Sequence, residues 1–223
     1  MVLDALRDAQ KIAPAELAIR TAAPIHYASA HHLVARRYAD RGYATTQLST
    51  YSEDALTVCS AFQGERTVGT IAVRFPSEQG LNADAVFGTE LALLRAGGLN
   101  ICEFGRLAVD EDASDNKQVL ARLFHLAYLH AHRLAGCELL VIEVNPRHVA
   151  FYRRMLGFAV LSEARLNARV NAPAVLLSLD LRVARQEISR FGGKAELAAH
   201  TRTLYPYFYG VDEEAKLLAK LRQ

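Results

Sequence analysis

Apolar and polar residues follow two different periods along this chain, and the period changes repeatedly. Residues 139–144 are apolar apart from Glu143, which is typical of a strand covered on both faces. Between 117 and 135, apolar side chains recur three and four residues apart, which indicates an amphipathic helix. The pattern predicts strands over 56–62, 67–75, 101–109, 139–144, 158–164 and 174–181, and helices over 3–20, 25–41, 87–95, 117–135, 146–156 and 213–221.

The order of these elements predicts the fold class. A helical start and a β-hairpin precede a strand–helix–strand–helix succession, and two more strands follow. This order fits an α/β (α+β) protein with a central twisted mixed sheet and helices on both faces. A chain of 223 residues buries a full core, so we predict one domain that ends in a helical extension over 183–223.

Composition narrows the choice of partner and compartment. The chain is 51% apolar and 22% charged with a net charge of +2, which gives no reason to expect a nucleic-acid partner. No apolar stretch reaches the roughly 18 residues that span a bilayer, and the N-terminal residues carry too many charges for a signal peptide. Three cysteines lie in apolar surroundings, and no Cys–His group has zinc-ligand spacing. We therefore expect a cytoplasmic protein with reduced thiols and no metal.

The segment 144–158 carries strong signals for a short helix. Asn145 suits the capping position because its side chain can accept a backbone N–H, and Pro146 suits the first helical position. Gly157 can adopt the left-handed conformation that ends a helix, and Phe158 begins the next apolar run. An ordinary helical connection between two strands would show the same features.

The succession Asn, then Phe-Tyr, then Leu-Gly-Phe in this segment resembles the second half of the GNAT acyltransferase fold. In that fold a strand and a helix separate from their neighbours and open a cleft for an acyl-pantetheine donor. The resemblance implies a GNAT-like domain whose acyl chain and pantetheine contact Leu107, Ala108, Val109, Asn145, Phe151 and Tyr152.

Glu103 and Arg106 are the charged residues within the predicted strand 101–109. Simple alternation places them on opposite faces of the sheet. A glycine inside a strand often marks a bulge that redirects side chains, and a bulge at Gly105 would bring both to the cleft. A plain Glu–Arg ion pair at the end of a strand is the alternative.

The sequence Glu-Phe-Gly-Arg-Leu-Ala-Val-Asp over 103–110 resembles the central strand of acyl-homoserine lactone synthases. It is more similar still to the related family of long-chain N-acyl amino acid synthases. The resemblance covers about 25–182 and is strongest over 101–158. It implies an N-acyltransferase that moves a long-chain fatty acyl group from acyl carrier protein to the amine of an amino acid, with no bound cofactor.

Glu103 and Arg106 suit this chemistry. Amide formation from a thioester requires a neutral amine, whereas a free amino acid carries an ammonium group at neutral pH. Glu103 could accept the ammonium proton, and Arg106 could hold a carboxylate or carbonyl oxygen. Backbone N–H groups at the bulge could polarise the thioester. No Cys or Ser stands beside a base in a recognisable arrangement, so we expect direct attack by the amine.

The loop 111–117 bears on the donor. CoA-dependent GNAT enzymes place glycines there, so that the backbone wraps the pyrophosphate at a helix N-terminus. This loop has three acids and no glycine, which favours acyl carrier protein over CoA, the alternative donor. Carrier proteins are acidic, so Arg147, Arg153 and Arg154 are candidates for docking, although a solvated helix face would carry the same charges.

The N-terminal third departs from the homoserine lactone synthase pattern, which leaves a free amino acid as the expected acceptor. The candidate acceptor-binding residues are Tyr43, Asp54 and Arg74, and Arg74 would replace an arginine expected at the position of Ala72. The aromatic tail 204–210 could roof an acyl tunnel or simply dock the last helix.

Two other functions stay open at the level of sequence. One is a CoA-dependent GNAT acetyltransferase that acts on a small amine or peptide. The other is a non-catalytic GNAT-like module that binds an acylated carrier protein as a sensor, which the presence of Glu103 and Arg106 disfavours.

Overall fold

The structure is a computed structural model that describes residues 16–45, 55–113 and 115–223. Its strands belong to one eight-stranded sheet. They are β1 (Leu17–Thr21), β2 (Leu56–Gln63), β3 (Arg66–Arg74), β4 (Ile101–Val109), β5 (Leu139–Val144), β6 (Ala159–Val160), β7 (Arg165–Asn167) and β8 (Ala172–Asp180). The order across the sheet is β1-β2-β3-β4-β5-β8-β6, and β7 also pairs with β8. Among the described strands, β4 and β5 form the parallel pair and the other pairs are antiparallel.

Helices cover both faces of this sheet. The described helices are α1 (Tyr27–Ala39), α2 (Asp84–Ala96), α3 (Asn116–Tyr128), α4 (Val149–Leu156), α5 (Leu181–Phe191), α6 (Ala198–Thr201) and α7 (Val211–Leu221). A π-helical segment, Leu129–Leu134, extends α3. The apolar side chains of α3, α4 and α5 pack into the largest core on one face, whereas α1 and α2 pack into smaller clusters on the other. The mixed α/β architecture predicted from the order of elements is thus present.

Asn145 and Gly157 lie at helix ends as predicted, and Asp115 caps a further helix. The Asp115 carboxylate accepts the Gln118 N–H at 3.0 Å and caps α3. The Asn145 side chain accepts the Arg147 N–H at 3.2 Å at the start of the helical segment that leads into α4. Gly157 ends α4 with a φ of 81°, a conformation that favours glycine because it has no Cβ.

The predicted helix over 3–20 is wrong where the structure can test it, because Leu17–Thr21 is an edge strand paired with β2. The remainder, 3–15, lies outside the described residues. Leu17 and Ile19 alternate with exposed neighbours and pack against the main core, which is the period of a strand. The alternation extends over only five residues, so the sequence pattern does not distinguish this strand from a continuation of the predicted helix.

The predicted strand over 158–164 is also wrong in its extent. Only Ala159–Val160 pairs with β8, and a separate short strand follows at Arg165–Asn167. Pairing stops because the hydroxyl of Ser162 accepts the Leu176 N–H at 2.9 Å, which replaces a main-chain acceptor at that point. The other predicted strands agree with β2, β3, β4, β5 and β8.

The three cysteines are free and buried. No helix in the described part of the chain combines the length and the apolar character that crossing a membrane requires.

Candidate active site

The site begins where β4 and β5 separate. Their parallel pairing joins Ile101, Cys102 and Glu103 to residues 139–141 and goes no further, although both strands continue. A cavity of about 180 Å³ occupies the resulting gap and is lined by the ends of both strands. The separation of strands expected from the sequence is therefore present.

A β-bulge in β4 shapes one wall of the gap. Ala72 pairs with Gly105 while Thr70 pairs with Ala108, so β4 has one more residue than β3 between these pairs. The left-handed residue of the bulge is Arg106, with a φ of 52°, rather than the glycine before it. As predicted, the bulge brings both Glu103 and Arg106 to the cavity.

The cavity crosses the sheet. On the α3 face its lining includes Phe104 and Ile142, which belong to the main core. Glu103 and Glu143 alternate with these residues along β4 and β5, so they project from the opposite, α2 face. The gap therefore connects an apolar chamber on one side of the sheet with a carboxylate-lined chamber on the other.

Glu103 is almost completely buried, with 4% of its surface exposed. Its carboxylate accepts the Ala83 N–H at 3.3 Å from the turn before α2. Burial raises its pKa to about 7, the charge of Glu143 adds to the effect, and Arg169 opposes it. A carboxyl group with this pKa can both accept and release a proton near neutral pH.

Glu143 forms a polar cluster with Asn167, the last residue of β7, and Arg169, which lies in the loop after it. The Asn167 side-chain amide donates to one Glu143 oxygen at 3.0 Å, and the Arg169 guanidinium donates to the other. Burial raises the pKa of Glu143, and Arg169 counteracts the rise. All three residues line the cavity. Sequence reasoning missed this cluster, although a single acid in an otherwise apolar strand was a usable signal for Glu143.

Two loops and the helical turn Pro146–His148 before α4 meet at one wall of the cavity. The backbone N–H of Ala44 donates to the Val170 carbonyl at 3.0 Å, which joins the loop after α1 to the loop after β7. Tyr43 lines the cavity, and its hydroxyl accepts a hydrogen bond from Arg147 at 2.8 Å. The Arg147 guanidinium also lies 5.3 Å from the centre of the Tyr43 ring. The predicted docking residue and the predicted acceptor residue are therefore direct neighbours.

The predicted acyl and pantetheine residues divide into two groups. Leu107, Asn145 and Tyr152 line the cavity. The other three lie outside its lining: Ala108 is buried against α1, Val109 packs on the main core, and Phe151 is 38% exposed. The bulge explains the positions of Ala108 and Val109. Strand alternation resumes beyond it, so one side chain faces α1 and the other faces the main core.

The remaining predicted residues are also spread out. Arg74 is buried opposite Glu103 in the register of β3 and β4 but lies outside the cavity lining. Asp54 lies outside the described residues. Arg153 and Arg154 are exposed on α4, as a docking face requires.

The acids of the loop before α3 are paired with arginines. Asp110 accepts hydrogen bonds from Arg36 at 2.8 Å and Arg66 at 2.5 Å. Burial raises the pKa of Asp110, but these two arginines outweigh it and keep the pKa below its ordinary value. Glu111 pairs with Arg37 at 2.8 Å. The loop thus neutralises the cations around it and has no glycine to wrap a pyrophosphate.

Comparison with known proteins agrees with this geometry. The sequence model of the N-acyl amino acid synthase FeeM family matches residues 29–180. The chain belongs to the FeeM family of N-acyl amino acid synthases. The solved structure of FeeM, an N-acyl amino acid synthase from uncultured soil microbes, is 28% identical with a TM-score of 0.69. That match covers 79% of this chain and 95% of FeeM.

More distant structures share the fold of this FeeM family member. The acyl-homoserine lactone synthase LasI is 11% identical with a TM-score of 0.57, over 76% of this chain and 94% of LasI. An N-acetyltransferase structure described as putative, from Lactobacillus plantarum, is 15% identical with a TM-score of 0.55, over 74% and 98%. No curated protein matches the chain. The GNAT fold and an acyltransferase activity, both expected from the sequence, are confirmed.

Proposed function

We propose that this acyltransferase moves a long-chain fatty acyl group from acyl carrier protein to the α-amine of a free amino acid. The observation that carries the proposal is the cavity that crosses the sheet, with Glu103 buried beside the gap. The apolar chamber next to Phe104 suits a hydrocarbon chain, and the chamber next to Glu143 suits a charged acceptor. The thioester carbonyl would lie in the gap between them.

The carboxylate-lined chamber matches the charges of an amino acid. Arg169 has a planar set of donors that suits the α-carboxylate of the acceptor, and Asn167 lies beside it. Glu103 and Glu143 would face the ammonium group. This assignment replaces Arg74 with Arg169 as the residue for the acceptor carboxylate, because Arg169 lines the cavity.

The reaction follows from this placement. The acceptor ammonium gives a proton to Glu103, and the neutral amine attacks the thioester carbon. Backbone N–H groups at the bulge, with Arg106 beside them, stabilise the oxyanion that forms. The C–N bond is completed as the C–S bond breaks. The attacking nitrogen loses a second proton, the leaving pantetheine thiolate takes one up, and Glu103 releases its proton to solvent, so an amide and a free thiol are the products.

The loop before α3 and the exposed arginines of α4 favour a carrier protein as donor. The loop has no glycine to wrap the pyrophosphate of CoA, and its carboxylates already occupy Arg36, Arg37 and Arg66, whereas the pantetheine of a carrier protein bears a single phosphate. Arg153 and Arg154 are exposed on α4, the helix whose Tyr152 lines the cavity, and they present a basic surface that suits an acidic partner. Arg147 continues this surface as far as Tyr43.

The test is a reaction of the purified protein with palmitoyl carrier protein and a panel of amino acids, followed by mass spectrometry. We expect one or a few N-acyl amino acids, and slower turnover with palmitoyl-CoA. Glu103→Gln should reduce turnover by about 100-fold or more, while Glu163→Gln, an exposed acid elsewhere, should have no effect. The proposal would be contradicted if palmitoyl-CoA gave product and palmitoyl carrier protein did not, or if Glu103→Gln kept full activity.

A further inference from the structure

A second cavity lies deeper in the core, on the α3 face of the sheet. It is small, about 20 Å³, and apart from Tyr128 and Tyr205 its lining consists of Leu, Ile, Ala and Phe side chains. Phe104 and Phe124 line both this cavity and the main one. Their ring centres are 6.2 Å apart, so the two rings form the partition between the cavities.

The far wall of this second cavity comes from the C-terminal extension. Tyr205 and Phe208 close it, and Ala184 of α5 contributes to its side. None of these three residues falls within 29–180, the part of the chain that matches the family. The wall therefore comes from residues that follow the segment matched by the family model.

Several hydrogen bonds hold the wall in place. The Tyr205 hydroxyl donates to the Leu156 carbonyl at 2.8 Å in the core. The Phe208 carbonyl accepts the Gly193 N–H at 2.8 Å, and the Phe208 ring stacks on His125 with centres 5.2 Å apart. Because both ends of the segment are fixed, its position is determined by the fold rather than by a ligand.

We propose that the second cavity receives the distal end of the acyl chain, and that Tyr205 and Phe208 set the longest chain that fits. This inference rests on the proposed function, since the chain enters from the main cavity. Because Phe124 lines both cavities, rotation of its ring would join them. A hydrocarbon end is the ligand that the lining favours, because most of the lining is aliphatic or phenylalanine side chains and the Tyr205 hydroxyl is already bonded to the Leu156 carbonyl.

Binding of S-acyl pantetheines tests this without any acceptor. In a saturated series lengthened two carbons at a time, affinity should rise by about fourfold per methylene until the chain reaches the wall. It should then level off or fall. Phe208→Ala removes part of the wall and should move this limit to a longer chain. Phe191→Ala is the matched control, because it removes the same ring from α5 outside the second cavity.

The opposite change provides a second variant. Ala184→Leu fills the cavity and should move the limit to a shorter chain, with circular dichroism and melting temperature to confirm folding. An unchanged limit in both folded variants, or an equal shift in Phe191→Ala, would overturn the inference. Because binding is measured, a failure to acylate amino acids would count against the proposed function and leave this result readable.

Discussion

Glu103 and Glu143 project from neighbouring strands onto the same face of the sheet, and the charge of Glu143 adds to burial in raising the pKa of Glu103 to about 7. Arg169 holds Glu143 and moderates the effect. The pKa of Glu103, the proposed proton acceptor, is thus set in part by Glu143, which takes no part in the proposed proton transfer.

Activity should therefore rise with pH through an inflection near 7, because Glu103 must be ionised to accept a proton. Glu143→Gln removes a negative charge and leaves Arg169 unopposed, so the inflection should move to lower pH. The measurement is kcat/KM against pH for the wild type and the variant. If the inflection stays at the same pH in Glu143→Gln, then Glu143 does not influence the pKa of the group that controls activity.

The same shift predicts a pH dependence of stability. The pKa of Glu103 is raised in the folded state, so its contribution is fully present below the unfolded value of about 4.5 and is lost as pH rises through 7. Glu103→Gln should remove this loss and stabilise the protein at pH 8 by roughly 3 kcal/mol. Urea unfolding at pH 5 and pH 8 measures it, and equal stability of variant and wild type at both values would contradict it.

Arg169→Gln should raise the KM for the amino acid by roughly tenfold or more, because a charge-assisted bond to the carboxylate is lost. The KM for the acyl donor should stay unchanged. Arg182→Gln is the control, since Arg182 pairs with Asp180 on the surface, away from the cavity. If only the KM for the acyl donor changed, Arg169 would bind the donor and not the amino acid, which contradicts the assignment.

His125 should make the protein sensitive to acid. Its Nδ1 accepts the Tyr209 N–H at 3.0 Å, so the buried ring is neutral and donates from Nε2 to Glu214. Burial lowers the pKa of His125. For a lowered pKa, stability is present above the unfolded value of about 6.5 and is lost as pH falls below it.

Unfolding midpoints at pH 7.5 and pH 5.5 test this, with His125→Gln as the variant. The wild type should lose more stability than His125→Gln between the two values. The exposed His200 offers a control, because His200→Gln should behave as the wild type does. Equal losses in all three proteins would show that His125 does not titrate on unfolding.

Gly69 marks a tight contact between the sheet and α3. A Cβ there would lie 2.9 Å from side-chain atoms of both Leu123 and Val119. Gly69→Ala should therefore destabilise the protein by about 1–3 kcal/mol in urea unfolding. Gly105→Ala is the control, because its Cβ would meet nothing within 4 Å. Similar losses in both variants would contradict the packing argument.

The sequence was most informative where one local signal decides the structure. Asp115, Asn145 and Gly157 each have a side chain or conformation suited to a helix end, and all three act there. Gly105 likewise indicated the bulge, although the residue with the left-handed backbone conformation is Arg106. These features depend on a few adjacent residues, which a single sequence displays.

Features that depend on distant partners were not predictable in the same way. Arg169 lies in a loop with no distinctive pattern, and it reaches the site only because β7 pairs with β8 beside Glu143. Ala108 and Val109 are predicted to contact the acyl donor on the strength of the family resemblance, but the direction of the side chains after the bulge depends on pairing with β3, which a single sequence does not display. Arg74 shares a register position with Glu103 but not its access to the cavity.

The hydrogen bond between Ala44 and Val170 has a consequence for turnover. Tyr43 and Val170 both line the cavity, so this bond links two segments of its wall beside the proposed reaction. On that reaction the acyl chain stays in the cavity as part of the product, so each carbon that tightens binding of the donor also slows release of the amide.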